Sequence, residues 1–126
     1  MSGHNAPLIA ALGIILASLL CGAAQAEEKR CGWVQNPTPG NFWLDDRDGS
    51  WTILTQGSDE EPEGIDALPD LSAGEFVETN GHYGYACACL SVETNRAEMR
   101  ITRISSARQL PIATCRTDRT LPDPGD

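Results

Sequence analysis

The sequence predicts a mostly β fold, a small antiparallel barrel or sandwich of about five or six strands stapled by disulfides. Three observations carry that prediction. Tyr85 to Thr94 alternates between two faces residue by residue, the signature of a strand. Four cysteines, Cys31, Cys87, Cys89 and Cys115, lie downstream of an apolar leader, an even number in a short chain. That downstream part also has no amphipathic helical repeat longer than two turns.

The chain has 126 residues, which predicts one domain, and 18 acidic against 9 basic side chains give a net charge of -9. Phosphate binding needs clustered Lys and Arg, so the charge argues against a nucleic-acid partner. Leu8 to Leu20 is almost purely apolar, and Ala24-Gln25-Ala26 places small residues where a signal peptidase cuts. The run is too short for the ~20 residues of a spanning helix. Residues 1–26 therefore read as a signal peptide cleaved near Ala26, although no Lys or Arg precedes Leu8. The expected product is a periplasmic or secreted domain, 27–126, with no stable membrane insertion. Cys21 follows Leu19-Leu20, and the bulk of Leu20 argues against lipidation there.

Cys31 to Trp51 reads as turn chemistry between aromatic residues, with Asn36-Pro37, Thr38-Pro39-Gly40 and Asp48-Gly49 as its turns. Trp51 to Thr55 is β-branched and aromatic and reads as a strand. Residues 58–70 follow as a solvated acidic loop carrying Asp59, Glu60, Glu61, Glu63, Asp66 and Asp70 with two prolines. Glu75 to Thr79 reads as a short strand closed by the Asn80-Gly81 turn. Tyr85 to Thr94 puts Cys87 and Cys89 on one face and Ala86, Ala88, Leu90 and Val92 on the other. Asn95 to Glu98 is the hairpin turn, and Met99 to Ser106 is the return strand. Ile101 and Ile104 are three apart, so a bulge or strand end near Arg103 is needed to place both inside. The Pro- and Asp-rich tail, 121–126, is expected to fray.

Only 17 of the 100 residues from Glu27 onward are Leu, Ile, Val or Phe, few enough that a charged chain needs covalent staples to fold. Cys87 and Cys89 share a face one residue apart, where a bond between them is strained, so each is expected to reach Cys31 or Cys115. Either arrangement leaves two bridges worth about 3 to 4 kcal/mol apiece in the chain-entropy model.

CGWVQNPTPGNFWLDDRDGSWTILTQG, GYACACLSV and ITRISSARQLPIATCRTDRTLP together resemble the bacterial family known as domain of unknown function 4087. The resemblance covers nearly all of the chain after the leader. It implies a small exported protein and carries no catalytic residue, cofactor or ligand to this sequence.

The residues themselves offer little catalytic chemistry. His82, in a Gly81-His82-Tyr83-Gly84 loop, is the one histidine after the leader and reads as a loop residue rather than a base. Cys87-Ala88-Cys89 lacks the Cys-x-x-Cys spacing at a helix start that lowers a thiol pKa. The same four cysteines lack zinc-site spacing. Asp45, Asp46 and Asp48 are interrupted by Arg47 and lack the terminal Glu of a calcium loop. No metal or cofactor is expected.

Trp33, Phe42, Trp43 and Trp51 are the aromatic group. Most of it is expected to fill the core, with Trp43 the one to reach the surface, because it follows the Pro/Gly turn and sits between Asn41 and Asp45. Residues 27–84 hold 13 acids and 3 bases, which makes one region strongly acidic. The leading expectation is a non-enzymatic exported domain that binds a basic envelope or secreted protein, in an inhibitor or immunity-like role. Candidate binding residues are Trp43, Asn41, Asp59, Glu60, Glu61 and Glu63. The alternatives are an envelope thiol-disulfide oxidoreductase using Cys87 and Cys89, and a glycan-binding module using Trp43.

Overall fold

The structure is a computed structural model that describes residues 3–5, 13 and 26–125. The apolar leader run and Cys21 lie outside the described residues. Six strands form one sheet: β1 (Glu28–Thr38), β2 (Asn41–Asp46), β3 (Gly49–Leu54), β4 (Val77–Asn80), β5 (Tyr83–Asn95) and β6 (Arg100–Leu110). A single short helix, α1 (Ile112–Arg116), follows β6. The order is β1-β2-β3-β6-β5-β4, and β1 also pairs with β5, so five of the strands close a ring.

The seam of that ring is thin. β3 meets β6 at one parallel pair, Thr52↔Arg100, with the Thr52 N–H donating to the Met99 carbonyl at 2.9 Å. The predicted antiparallel character holds for every other named strand pair. With so short a closure the ring is better described as sandwich-like than as a regular barrel.

β5 is the organising strand. Its alternation sends Ala86, Ala88, Leu90 and Val92 into the ring, where they meet Val34, Leu44, Trp51, Ile53, Ile101 and Ile104. The opposite face is buried as well, in a second cluster of Trp33, Tyr85, Cys87, Ile112 and Cys115 beneath α1. Trp33 and Tyr85 meet edge to face there, with centroids 5.2 Å apart. Burial on both faces is possible for so small a domain because α1 and the tail cover the outside of β1 and β5.

Two bulges solve the spacing of Ile101 and Ile104. The β5–β6 register slips between Ser91 and Val92 and again between Glu93 and Thr94, leaving Ser105 and Thr102 without partners. Their hydroxyls donate to the Ser91 and Glu93 carbonyls, while Ile101 and Ile104 both face inward, buried. The expected bulge is thus present on both sides of Arg103.

Four expectations change. Cys31 to Trp51 is mostly strand, and β1 runs eleven residues through the segment that reads as turns. Pro37 is tolerated because it lies at the end of β1, past Asn36, the last residue of that strand to pair with β5. The strand placed at Glu75 begins at Val77, because Gln109 Nε2 donates to the Leu71 and Glu75 carbonyls and holds that backbone outside the sheet. The tail, read from composition as frayed, lies against the domain through Pro124. Leu121 packs on the Trp33–Tyr85 cluster, and the Pro124 carbonyl accepts from Gln35 Nε2 at 2.8 Å. The acidic loop is largely exposed, yet Pro62 is buried and Glu63 is pinned to β6: its N–H donates to the Thr102 carbonyl, and its carbonyl accepts from the Ile104 N–H.

The disulfides are Cys31–Cys89 and Cys87–Cys115. Each cysteine of the Cys87-Ala88-Cys89 pair reaches a distant partner, as its shared face requires. A dithiol pair of Cys87 with Cys89 is therefore not formed, and making one would open both bridges.

Candidate binding face

Residues paired across neighbouring strands project to the same side of a sheet. Gln35 on β1 pairs with Trp43 on β2, Trp43 with Thr52 on β3, and Thr52 with Arg100 on β6. The four form one row on the outside of the ring, with Gln35 buried beneath the tail and with Ile53 and Ile101, the next residues on β3 and β6, fully buried inside. Neighbouring strands are about 4.8 Å apart, so Trp43 and Arg100 stand roughly 10 Å from each other.

Trp43 is the half-buried tryptophan, whereas Trp33 and Trp51 are each 1% exposed. Its indole N–H donates to Asp45 Oδ2 at 3.2 Å, and Asp45 Oδ1 accepts from the Ser50 hydroxyl. With its N–H so engaged, the ring offers a partner apolar surface rather than a donor. Asn41 has a different task from the one its position suggests. Its Nδ2 donates to Thr38 Oγ1 at 2.6 Å and its Oδ1 accepts from the Gln56 N–H at 2.9 Å. It clamps the β1–β2 turn to the start of the acidic loop.

The acids divide into two groups. Glu60 pairs with Arg100 at 2.8 Å, and Glu63 with Arg103 at 3.6 Å. Two of the three β6 arginines are drawn to the loop, and the Arg100 pairing brings Glu60 to the end of the row that begins at Gln35. Asp59 and Glu61 are exposed beside it, on a shallow depression of about 320 Å³ shared with Glu98 and Thr102. Trp43 and the acidic segment thus share one face, with Arg100 between them.

A second cluster escaped sequence reasoning. Arg30 is 7% exposed, and its guanidinium binds Asp46 at 2.8 Å, Asp48 at 2.9 Å and Glu28 at 2.6 Å. It also stacks over Trp51, 4.0 Å from the ring centroid. Asp46 Oδ1 accepts from Trp51 Nε1 at 3.0 Å and from the Asp48 N–H at 2.8 Å, and Thr94 donates to Glu28. Burial by itself lowers the guanidinium pKa, but the hydrogen bonds to Asp46, Asp48 and Glu28 outweigh it and raise the pKa. Two of the residues weighed as a calcium loop, Asp46 and Asp48, are therefore ligands of a buried arginine, while Asp45 holds Trp43. The available signal was charge imbalance: Lys29, Arg30 and Arg47 are the three cations of residues 27–84, so a buried one must collect acids.

Above this network lies a charged cleft of about 370 Å³, bordered by Lys29, Cys31, Arg96 and Asp118 among others. Arg30 makes its contacts with carboxylates of the same chain, which gives it a structural role. His82 is exposed in the β4–β5 turn. No group of His, Cys, Asp and Glu suited to a metal ion occurs among the described residues.

A family model described as a protein of unknown function, DUF4087, matches residues 25–122. The chain belongs to that family. No curated protein and no solved structure matches this chain. The DUF4087 match takes in both disulfides, the Arg30 network and the Trp43 row, and ends just before Pro124. Among the described residues of this DUF4087 protein, no helix is long and apolar enough to cross a membrane.

Proposed function

We propose that this DUF4087 domain is an exported, non-catalytic binding module that docks a basic envelope or secreted protein on the outer face of β2, β3 and β6. The observation that carries the reading is the row Trp43–Thr52–Arg100 ending at Glu60. An aromatic anchor beside a charged rim is the usual anatomy of a protein-binding hot spot.

Electrostatics supports a basic partner. Glu60 and Glu63 are matched by β6 arginines, but Asp59 and Glu61 project without such partners among the described residues. The protein as a whole carries -9, so a cationic partner is attracted at long range and oriented by the loop. Trp43 then supplies short-range area, with its N–H already satisfied by Asp45. Export is supported by the leader and by two disulfides, which persist in oxidising compartments.

The reading is tested by immobilising the domain, passing envelope extract over it at low ionic strength and eluting with salt. A cationic protein retained by the wild type is expected to elute as salt screens the loop. It is also expected to be retained less by the double variant Asp59→Asn, Glu61→Gln. Retention insensitive to both salt and the variant removes the electrostatic half of the proposal.

A further inference from the structure

The two disulfides hang from the same face of β5 yet meet solvent differently. Cys87 is 0% exposed and Cys115 is 4% exposed, both in the cluster beneath α1. Cys89 is 9% exposed, and its partner Cys31 is open to solvent at the edge of the charged cleft. Cys115 also borders a cleft, of about 460 Å³ beneath the tail, but it and Cys87 are buried. Cys31 is therefore the one of the four cysteines open to an attacking thiolate, and access is one of the determinants of exchange rate.

The backbone around Cys31 is also held independently of the bond. Cys31↔Cys89 sits within an unbroken register from Glu28↔Val92 to Asn36↔Gly84. The antiparallel ladder keeps these two residues opposite each other, with Cα atoms 4.0 Å apart. Cys87–Cys115, by contrast, joins the sheet to the short helix α1. Opening the first bond leaves its partners in place, and closing it again needs no search.

We infer that Cys31–Cys89 is a thiol–disulfide exchange site for dithiols, and that Cys87–Cys115 is the permanent staple. One thiolate of the dithiol attacks Cys31 Sγ, forming a mixed disulfide and expelling Cys89 as a thiolate, which takes up a proton. The second thiol of the reagent loses its proton and attacks the reagent's own sulfur in the mixed disulfide. It releases the Cys31 thiolate, which is protonated in turn, and closes the reagent into a disulfide. Two electrons and two protons pass from the dithiol to the protein. This exchange stands apart from the binding face, and neither depends on the other.

The experiment treats the folded, oxidised domain with dithiothreitol at neutral pH, quenches samples with iodoacetamide, and assigns the alkylated cysteines by tandem mass spectrometry. Cys31 and Cys89 are expected to become alkylated on the order of tenfold faster than Cys87 and Cys115, with tryptophan emission unchanged during the fast phase. The four cysteines reacting together, Cys87 and Cys115 reacting first, or no alkylation before tryptophan emission shifts, would each overturn the assignment. The double variant Cys31→Ser, Cys89→Ser is expected to fold and to lack the fast phase. Failure of that variant to fold would contradict the claim that the β1–β5 ladder holds these positions without the bond.

Discussion

Cys87 and Cys89 stand on the same face of β5 with only Ala88 between them, yet they tie that strand to two different elements. Cys89 holds β1 through Cys31, and Cys87 holds α1 through Cys115. The central strand is thereby stapled to the first strand and to the only α-helix among the described residues. The staple at Cys87 also fixes the lid over the second core, because Ile112 and Cys115 cover Trp33 and Tyr85 from α1.

Removing that staple exposes the second core. The double variant Cys87→Ser, Cys115→Ser is expected to lose about 2 to 5 kcal/mol of stability. The emission of Trp33 should shift to longer wavelength as α1 and Leu121 detach. Urea denaturation followed by fluorescence measures both effects. An unchanged midpoint would mean that α1 stays seated without its bond.

Arg30 binds three carboxylates, and Asp46 among them is almost fully buried, with a side chain 3% exposed. Arg30→Met leaves that carboxylate without its partner while keeping apolar contact with Trp51. The expected cost is about 3 to 5 kcal/mol, the range seen when one member of a buried ion pair is removed. Lys at this position should recover only part of it, because an ammonium cannot span the three acids as a planar guanidinium does. Chemical denaturation of both variants measures the difference.

The same network makes the fold sensitive to acid. Burial pushes the Glu28 carboxyl pKa up, but hydrogen bonds from Thr94 and Arg30 and the charges of Arg30 and Arg96 bring it below the ordinary value. Arg30 lowers Asp48 in the same direction, although that group is exposed and adds little. A carboxyl that is more acidic folded than unfolded stabilises the fold fully above its unfolded pKa, about 4.3 for Glu. Its contribution is lost as pH falls through the lower folded value. Glu28→Gln is expected to flatten this acid limb in a series of urea midpoints taken from neutral pH downward. An identical acid limb in the variant would place the effect elsewhere.

Gly32 lies against the backbone of β2 at Asp45 and Asp46. A Cβ there would stand 2.1 Å from the Asp45 carbonyl oxygen, so Gly32→Ala forces the two strands apart. The expected cost is about 1 to 3 kcal/mol. Because Asp45 holds the Trp43 indole, the change should also perturb the Trp43 fluorescence. Thermal melts and emission spectra report the two together.

The parts of the fold that were legible in the sequence depend on local periodicity. The alternation of β5, the turn after Asn95, the bulges forced by Ile101 and Ile104 and the separate partners of Cys87 and Cys89 all follow from side-chain direction along one strand. β1 was hidden because its end reads Asn36-Pro37-Thr38-Pro39. Its strand character comes from pairing with both β2 and β5, which no local window contains. The Arg30 network joins residues sixteen and eighteen positions apart, and a sequence does not say which acid a buried cation will choose. The tail read as frayed on composition alone, yet Cys115 carries it back to an aromatic pair that needs a cover. At the candidate face, Trp43 was legible by its neighbours. Its alignment with Arg100 and Glu60 was not, because it depends on the single parallel pair at the β3–β6 seam.

The measurement that bears most directly on the proposed function is retention of the cationic partner from envelope extract by wild type and by Trp43→Ala, side by side. Trp43 is half-buried and outside both core clusters, so the variant is expected to fold with a stability loss of about 1 kcal/mol or less. Loss of a hot-spot aromatic costs about 2 kcal/mol or more of binding, which corresponds to roughly thirtyfold weaker retention. That loss, with the melting curve almost unchanged, is the predicted result. Equal retention by a folded Trp43→Ala domain would contradict the account and move the binding surface away from β2, β3 and β6.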